Sequence, residues 1–328
     1  RLYISQPSLT NAIHELEKEM GINIFNRSNK GISPSIEGEV FLGYARQVLE
    51  QAKVLEDKYK GDDGGKKSFC VSTQHYSFAV NAFVDLIKRY GQDEYDFSIR
   101  ETQTYEIIDD VARMRSEIGI LFMNDFNEKV LNKILRANDL EFHELFVAKP
   151  HVFISRNHPL AKNSIITNEE LEAYPYLSFE QGEHNSFYFS EEIFSTTERK
   201  KNIRVRDRAT LFNLLIGLNG YTVCSGVIDE KLNGKDIISV PLADDSDMRI
   251  GYIVHRKAIL SRLGNTYLGA LANYLTAGGD EPEDSVKTPQ RKLQHRGRFN
   301  EMRDDGEPAC GDVREKATEH MRKVKKEI

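Results

Sequence analysis

The first forty residues constrain the fold of this chain more than any other segment. Ser5 can cap a helix whose first turn contains Pro7, a position where a missing backbone N–H costs nothing. An apolar stripe at three- and four-residue spacing is formed by Leu9, Ile13, Leu16 and Met20. Gly21 is expected to end this helix, and Gly31 closes a basic turn that follows. The order predicts a helix, a tight turn, a hairpin and a second helix.

The face opposite the stripe carries short hydrogen-bonding side chains, which suit base edges and phosphates. Cations on a short hairpin suit the sugar-phosphate backbone. We predict that DNA contacts come from Ser5, Gln6, Pro7, Ser8, Thr10, Asn11, His14, Arg27 and Lys30. The alternative is an ordinary surface helix with a polar face. The combination of helix, turn and basic hairpin favours DNA binding.

This segment resembles the winged helix-turn-helix of the LysR-type transcriptional regulators. The matching motifs are Ser5-Gln6-Pro7, Leu16-Glu17, Gly21, Phe25-Asn26-Arg27 and Gly38. Two positions depart from the family pattern. Thr10-Asn11 stands where many members have Ser-Arg, and Ser33-Pro34 stands where the wing usually ends in Leu-Thr. These departures concern base-pair preference more than fold.

The resemblance also implies that the DNA-binding domain, residues 1–35, is N-terminally truncated. Family members begin with a further helix and part of a second one, whereas this sequence starts at Arg1. Those helices would cover Leu9 and Ile13. We therefore expect an uncovered apolar face and weak or absent specific DNA binding by this sequence.

Residues 36–60 form a second strongly periodic segment. Its apolar positions, three or four residues apart, are Ile36, Val40, Tyr44, Val48, Ala52, Leu55 and Tyr59. This pattern predicts a long amphipathic helix that joins two copies, so that a homodimer or homotetramer presents two recognition helices to DNA. The alternative is a helix packed on its own domain. The glycine-rich residues 61–66 are predicted to be a hinge.

Residues 67–275 alternate strand-like and helix-like segments, which predicts an α/β domain with parallel sheets covered by helices. Two such sets follow each other, so we expect a first lobe of residues 67–143 and 251–275 and a second lobe of residues 144–250. The resemblance now extends to this part: LysR effector-binding domains are two-lobed and similar to periplasmic solute-binding proteins. The fold class is therefore α/β with an N-terminal all-α winged helix-turn-helix.

Sheets of this topology bind ligands beyond the carboxyl ends of their strands. We predict an effector site lined by Ser72, Thr73, Gln74, His75, Glu101, Thr102, Ser178, Phe179, Gln181, Asn185, Ser186, Arg208 and Thr210. Hydroxyl and amide groups suit a small zwitterion or anion, such as an amino acid, a sulfur metabolite or an inorganic anion. The alternative is that the hydroxyls only cap helices. Likewise, His75 is either a charge-sensing ligand contact or a packing group.

Composition excludes several classes of protein. A net charge of −6 argues against a wholly basic nucleic-acid coat, so DNA contact requires a local patch. No apolar run reaches the roughly 18 residues of a membrane span, and we expect a cytoplasmic protein without a membrane partner. Cys70, Cys224 and Cys310 have no metal or redox spacing and are expected to be reduced. Neither a catalytic motif nor a cofactor motif is present, so an enzyme is not expected.

The sequence therefore predicts a one-component regulator. A small metabolite closes the two lobes, and the change alters how the recognition helices meet promoter DNA. Two alternatives remain open: a solute-binding module without DNA-binding activity, and a scaffold assembled through the long helix. Residues 276–328 contain few apolar side chains and are expected to be a disordered tail.

Overall fold

A computed structural model describes residues 5–28, 31–60, 67–90, 94–228 and 233–276 of the 328-residue chain. Lys30, Cys310, the predicted hinge at 61–66 and all but the first residue of the predicted tail at 276–328 lie outside the described residues. The described residues divide into two compact units, with the boundary between Gly38 and Glu39.

The first unit is a helix followed by a hairpin and the start of a second helix. Its elements are α1 (Gln6–Met20), β1 (Phe25–Ser28), β2 (Gly31–Pro34) and the first turn of α2 (Ile36–Lys60). The predicted helix signals are confirmed: Ser5 Oγ accepts from the Ser8 amide at 3.3 Å, and Gly21 closes α1 with φ of +68°. The antiparallel hairpin pairs Arg27 with Ile32 and supplies the wing, so this unit is not all-α.

The second unit contains two five-stranded sheets. In chain order its elements are β3 (Lys67–Thr73), α3 (Ser77–Tyr90), β4 (Tyr95–Glu101), α4 (Thr104–Ala112), β5 (Ile118–Met123), α5 (Glu128–Ala137), β6 (Leu140–Ala148), β7 (His151–Ser155), α6 (Asn168–Leu171), β8 (Tyr176–Phe179), β9 (Asn202–Val205), α7 (Arg208–Leu218), β10 (Tyr221–Cys224), β11 (Ile237–Pro241), β12 (Met248–His255) and the C-terminal helix (Arg262–Thr276). The sheet of the first lobe has the order β4-β3-β5-β12-β6, and that of the second lobe has the order β11-β7-β10-β8-β9.

The sheets are parallel except for one strand in each, which runs against the others. In the first lobe this strand is β12, which is antiparallel to β5 and β6; in the second it is β7, which is antiparallel to β10 and β11. The chain begins each of these two strands directly after it has crossed from the other lobe. The carboxyl ends of the parallel strands in the two sheets face each other, so a chain that crosses between lobes enters the new sheet from that edge and runs backwards.

The two sheets include residues beyond the predicted lobe boundaries at 143 and 251, because β6 extends to Ala148 and β12 begins at Met248. The outer face of the first sheet is sealed by α3 and the C-terminal helix. Tyr267 is fully buried there, and its hydroxyl donates to the carbonyl of Ala79 at 2.9 Å. A buried aromatic side chain of this kind contributes about 2 kcal/mol through burial. This packing leaves the carboxyl ends of the strands as the edge open to ligands.

Candidate effector cleft and DNA-reading face

Several polar contacts join the facing edges of the two sheets. The first is made by His75, which lies two residues after the end of β3. Its Nδ1 lies 2.9 and 3.0 Å from the carboxylate oxygens of Glu191, in the second lobe. The amide of His75 also donates to Glu191 at 3.0 Å. Both side chains are nearly buried, at 4% and 5% exposure.

The second contact is an ion pair between the end of β4 and the start of α7. Arg208 Nη2 lies 2.8 Å from Glu101 Oε1. The distance is that of an ion pair, and Arg208 Nη1, the other terminal nitrogen, is buried without a hydrogen-bond partner. Burial raises the pKa of Glu101, and the charge of Arg208 offsets only part of this effect.

The third contact joins Gln181 of the second lobe to the first turn of α4. Gln181 Oε1 accepts from the Thr104 amide at 3.1 Å, and the Thr104 hydroxyl donates to the carbonyl of Phe189 at 2.7 Å. Gln74, in the first lobe, also contacts Thr104. Its Nε2 donates to the Thr104 hydroxyl at 2.6 Å, and its Oε1 accepts from the Phe122 amide at 3.0 Å.

Two consecutive acids, Glu191 and Glu192, lie at the base of the cleft. Glu192 Oε1 accepts from the Phe179 amide at 2.8 Å. Burial, together with the adjacent charge of Glu191, raises the pKa of Glu192 to about 8. Glu192 is therefore mostly protonated at neutral pH, whereas Glu191 is matched by His75.

One cavity between the lobes is small, with a volume of about 40 Å³. It is lined by His75, Phe179, Glu191, Glu192, Arg208 and Ser225 together with neighbouring apolar side chains. A volume of this size holds about one water molecule. A metabolite can bind in this small cavity only if the lobes separate or side chains move. A larger cavity, of about 540 Å³, is also lined from both lobes, by residues that include Phe122, Asn127, Glu192 and Phe194.

Of the predicted effector residues, the structure brings five to the interface between the lobes: His75, Glu101, Phe179, Gln181 and Arg208. Gln74 lies directly behind them. Sequence reasoning missed Glu191 and Glu192. The sequence feature that could have indicated these two acids is a pair of consecutive carboxylates within a segment rich in aromatic residues, 187–194.

The prediction that Ser72 and Thr73 face an effector is corrected, because both side chains are buried in the first lobe. Ser72 Oγ donates to Asp110 at 2.7 Å and lies 2.7 Å from the Ser116 hydroxyl. Thr73 Oγ1 donates to the Gln74 carbonyl at 2.8 Å. These hydroxyls satisfy polar groups inside the domain and are not available to a ligand.

Two other predicted hydroxyls donate to acids near a helix start in their own lobe. Thr210 donates from its amide and hydroxyl to Asp207, at 2.8 and 2.7 Å, at the start of α7. The Thr102 hydroxyl donates to Glu106 one turn further along. The remaining predicted positions do not line the cavity: Ser178 in β8, and Asn185 and Ser186 in the segment after it.

The face of α1 that is predicted to contact DNA is open to solvent. Exposed positions along it are Ser5, Gln6, Pro7, Ser8, Asn11 and His14, and Thr10 is half-buried. Arg27 is exposed on β1. Behind this face, Glu17 Oε1 accepts from the amides of Ile24 and Phe25 at 2.8 and 3.0 Å and thereby fixes the turn. Of the α1 residues themselves none is buried, and Leu9 and Met20 are 39% and 50% exposed.

Helix α2 presents an apolar stripe to solvent and also contacts the first lobe. The exposed positions of the stripe are Ile36, Val40, Tyr44 and Val48, between 38% and 83% exposed. Glu39 forms an ion pair with Arg113, which follows α4. The ring of Tyr44 lies edge-on to His255 at 6.0 Å. These contacts connect α2 to the lobe that carries His75.

Other kinds of site find no support in the part of the chain that the structure describes. It contains no cluster of His, Cys, Asp or Glu with metal-binding geometry. None of its helices is long and apolar enough to cross a membrane. Cys70 and Cys224 are free thiols on strands, and burial raises the pKa of both.

Comparison with known families agrees with this architecture. The model of the LysR substrate binding domain matches residues 69–276. The model of the bacterial regulatory helix-turn-helix protein, lysR family, matches residues 1–39. These two matches cover both units, and the chain belongs to the LysR family of DNA-binding transcriptional regulators.

Individual relatives are distant. The HTH-type transcriptional regulator YnfL of Escherichia coli is 28% identical over 184 residues, a match that spans 55% of this chain and 58% of YnfL. YbhD of the same organism is 23% identical over 297 residues, which is 88% of this chain and 90% of YbhD. Among solved structures, a full-length OxyR variant from Pseudomonas aeruginosa has a TM-score of 0.57 at 18% identity, covering 82% of this chain and 89% of that one. This structural likeness shows the shared fold.

Proposed function

We propose that a small metabolite controls promoter binding by this regulator from the cleft between its two lobes. The observation that carries the proposal is that polar side chains from both lobes meet at the facing edges of the sheets, beside the apolar residues that the lobes share. Pairs that cross the cleft include His75 with Glu191, Glu101 with Arg208, and Thr104 with Gln181. Each pair contains groups that a small polar ligand can replace.

The cleft suits a small zwitterion, because it presents both a positively and a negatively charged side chain. Arg208 Nη1 is a buried donor without a hydrogen-bond partner, and the neighbouring carboxylate of Glu101 supplies the opposite charge. Unmet hydrogen-bonding groups in a buried place favour a ligand that satisfies them. An amino acid or a related sulfur metabolite has the required pair of charges.

The effect on DNA passes through α2. The ligand changes the separation of the lobes, and the first lobe holds α2 through Arg113 and His255. A ligand shifts such an equilibrium only by its difference in affinity for the two forms. Two copies joined along the exposed stripe of α2 form a homodimer, which can pair into a homotetramer, and the shift changes the spacing of the two α1 helices.

The activity proposed is binding and not catalysis, and we place it in the cytoplasm, where promoter DNA is available. A second candidate is a solute-binding module without DNA-binding activity. The exposure of Leu9 and Met20 favours this alternative, because a helix with no buried residue is weakly anchored.

The experiment that separates the two is a mobility-shift assay with the DNA upstream of the protein's own gene, run with and without each of the 20 common amino acids. A regulator gives a retarded band whose midpoint moves with at least one ligand. The module binds a ligand in calorimetry but leaves the DNA free. If no ligand binds and DNA affinity does not change, the proposed control by a metabolite is wrong.

A matched pair of variants tests the DNA-reading face. Arg27→Ala is expected to weaken DNA binding and to lower the slope of log affinity against log salt by about 1, the loss of one phosphate contact. Lys88→Ala, which removes an exposed cation from α3 in the first lobe, is the control and should leave the slope unchanged.

A further inference from the structure

The imidazole ring of His75 occupies a slot that belongs entirely to the second lobe. The ring is stacked on Phe179, with centroids 3.8 Å apart and planes 3° apart. Its Nδ1 lies 2.9 Å from a carboxylate oxygen of Glu191, and its Nε2 lies 3.2 Å from the carbonyl oxygen of Arg206. We call Phe179, the Glu191 carboxylate and the Arg206 carbonyl the ring slot.

The ring slot has the chemistry of a receptor for a flat cation. Both ring nitrogens of His75 face oxygen acceptors, and only the protonated imidazole donates from both. The face of Phe179 adds the attraction of an aromatic ring for a positive charge. Burial lowers the pKa of His75, but the charge and hydrogen bond of Glu191, aided by Glu101 and the Arg206 carbonyl, raise it more, so the net pKa is raised.

The components of the slot are held in place without His75. The Phe179 amide donates to Glu192 at 2.8 Å, and Gln181 Nε2 donates to Glu191 at 3.4 Å. Phe179 ends β8 and Arg206 directly follows β9, two strands paired in parallel. When the lobes separate, the first lobe withdraws His75 and the slot remains in the second lobe with an uncompensated carboxylate, which is costly to leave unpaired.

We propose that the ring slot is the subsite for an effector that carries a planar cationic group, an imidazolium or a guanidinium, and that His75 occupies it as an internal competitor until the effector arrives. This inference rests on the proposed function and adds to it the class of ligand. Both groups are flat and present N–H donors in the ring plane, so each repeats the stacking and the two hydrogen bonds of His75. An alkylammonium has the charge but no face to stack.

The test is chemical complementation of His75→Gly, which empties the slot while retaining Phe179 and Glu191. Calorimetry at pH 6 is run with imidazole, methylguanidinium and methylammonium, in the absence of DNA. We expect imidazole and methylguanidinium to bind the variant about tenfold more tightly than methylammonium does. We also expect both to bind the variant about tenfold more tightly than they bind the unchanged protein, because His75 competes there.

The control is His143→Gly. His143 is also stacked on an aromatic ring, that of Tyr252 at 4.9 Å and 17°, with Nε2 2.9 Å from Glu141. His143 and Glu141 both lie in the first lobe and are 42% and 45% exposed, so removal of the His143 ring should create no binding site. The double variant His75→Gly with Glu191→Gln should fold, as judged by circular dichroism, and lose binding of both flat cations.

Two results would overturn the proposal. One is that folded His75→Gly binds no flat cation; the other is that it binds methylammonium equally well. If His75→Gly does not fold, His75→Asn is used in its place with the same criteria, because the shorter side chain does not reach across the slot. Since these measurements contain no DNA, their failure is distinct from a failure of the proposed regulation, which is judged by the mobility-shift assay.

Discussion

Arg208 Nη2 lies 2.8 Å from Glu101 Oε1, and this ion pair links the first helical turn of α7 in one lobe to the end of β4 in the other. The side chains are 19% and 25% exposed, so solvent screens them only partly. Arg208 Nη1, which is outside the pair, is buried without a hydrogen-bond partner. The pair therefore resists separation of the lobes while leaving polar groups for a ligand.

We expect Glu101→Gln and Arg208→Gln each to lower the free energy of unfolding by about 1 kcal/mol, with a coupling energy of similar size in the double variant. Urea denaturation at pH 7 measures all three. The control is the exposed pair Glu180 and Arg206 within the second lobe, where Arg206 is 78% exposed and the expected coupling is near zero. Equal coupling in the two pairs would contradict a special role for the contact between lobes.

Glu192→Gln should remove much of the pH dependence of stability. The pKa of Glu192 is about 8 in the folded protein, against an ordinary 4.5, so the folded state holds its proton more tightly. The stabilisation is fully present below pH 4.5 and is lost as the pH rises through 8, at up to about 1.4 kcal/mol per pH unit. The glutamine stays neutral, and its carbonyl still accepts from the Phe179 amide.

Urea denaturation at pH 5 and pH 8 measures this slope. His75, with its raised pKa, contributes a change of the same sign from pH 6.5 upward, so some slope persists in the variant. Glu183→Gln, at an exposed acid in the same segment, is the control and should retain the full slope. The prediction fails if Glu192→Gln and the unchanged protein lose stability equally between the two pH values.

Glu17→Ala should loosen the turn that follows α1 in the N-terminal unit. The carboxylate accepts from the amides of Ile24 and Phe25, and these hydrogen bonds lower the pKa of Glu17. The stabilisation is therefore present above pH 4.5 and is lost as the pH falls through the lowered pKa. Amide hydrogen exchange at Ile24 and Phe25 is expected to accelerate. Glu15→Ala, on the exposed side of the same helix, should leave both amides protected.

Gly38→Ala should destabilise the same unit through a steric clash. A Cβ atom at position 38 would overlap the backbone carbonyl of Ile24, and neither group can move without displacing a backbone segment. Gly217→Ala is the matched control, because a Cβ there meets nothing within 4 Å on α7. Thermal unfolding should show a loss of about 1–3 kcal/mol for the first and a gain of up to about 1 kcal/mol for the second. A neutral Gly38→Ala would show that α2 does not pack closely against Ile24.

Much of the fold follows from local chemistry and was therefore predictable. Ser5, Pro7 and Gly21 specify the ends of α1 because capping and left-handed backbone depend on single residues. The alternation of apolar segments likewise identified two α/β lobes. The reversed directions of β7 and β12 were not predictable in this way, because they depend on which edge the chain crosses between the lobes.

The sequence by itself determined the family, the element order and the strand ends near which a ligand site lies, since these depend on patterns of neighbouring residues. Only the tertiary structure decided which polar groups meet. It paired His75 with Glu191, which is 116 positions away, and placed Ser72 on Asp110 inside the first lobe. The physical reason is that hydrogen bonds require distances near 3 Å, and such contacts between remote positions are set by the packing of whole lobes rather than by local sequence.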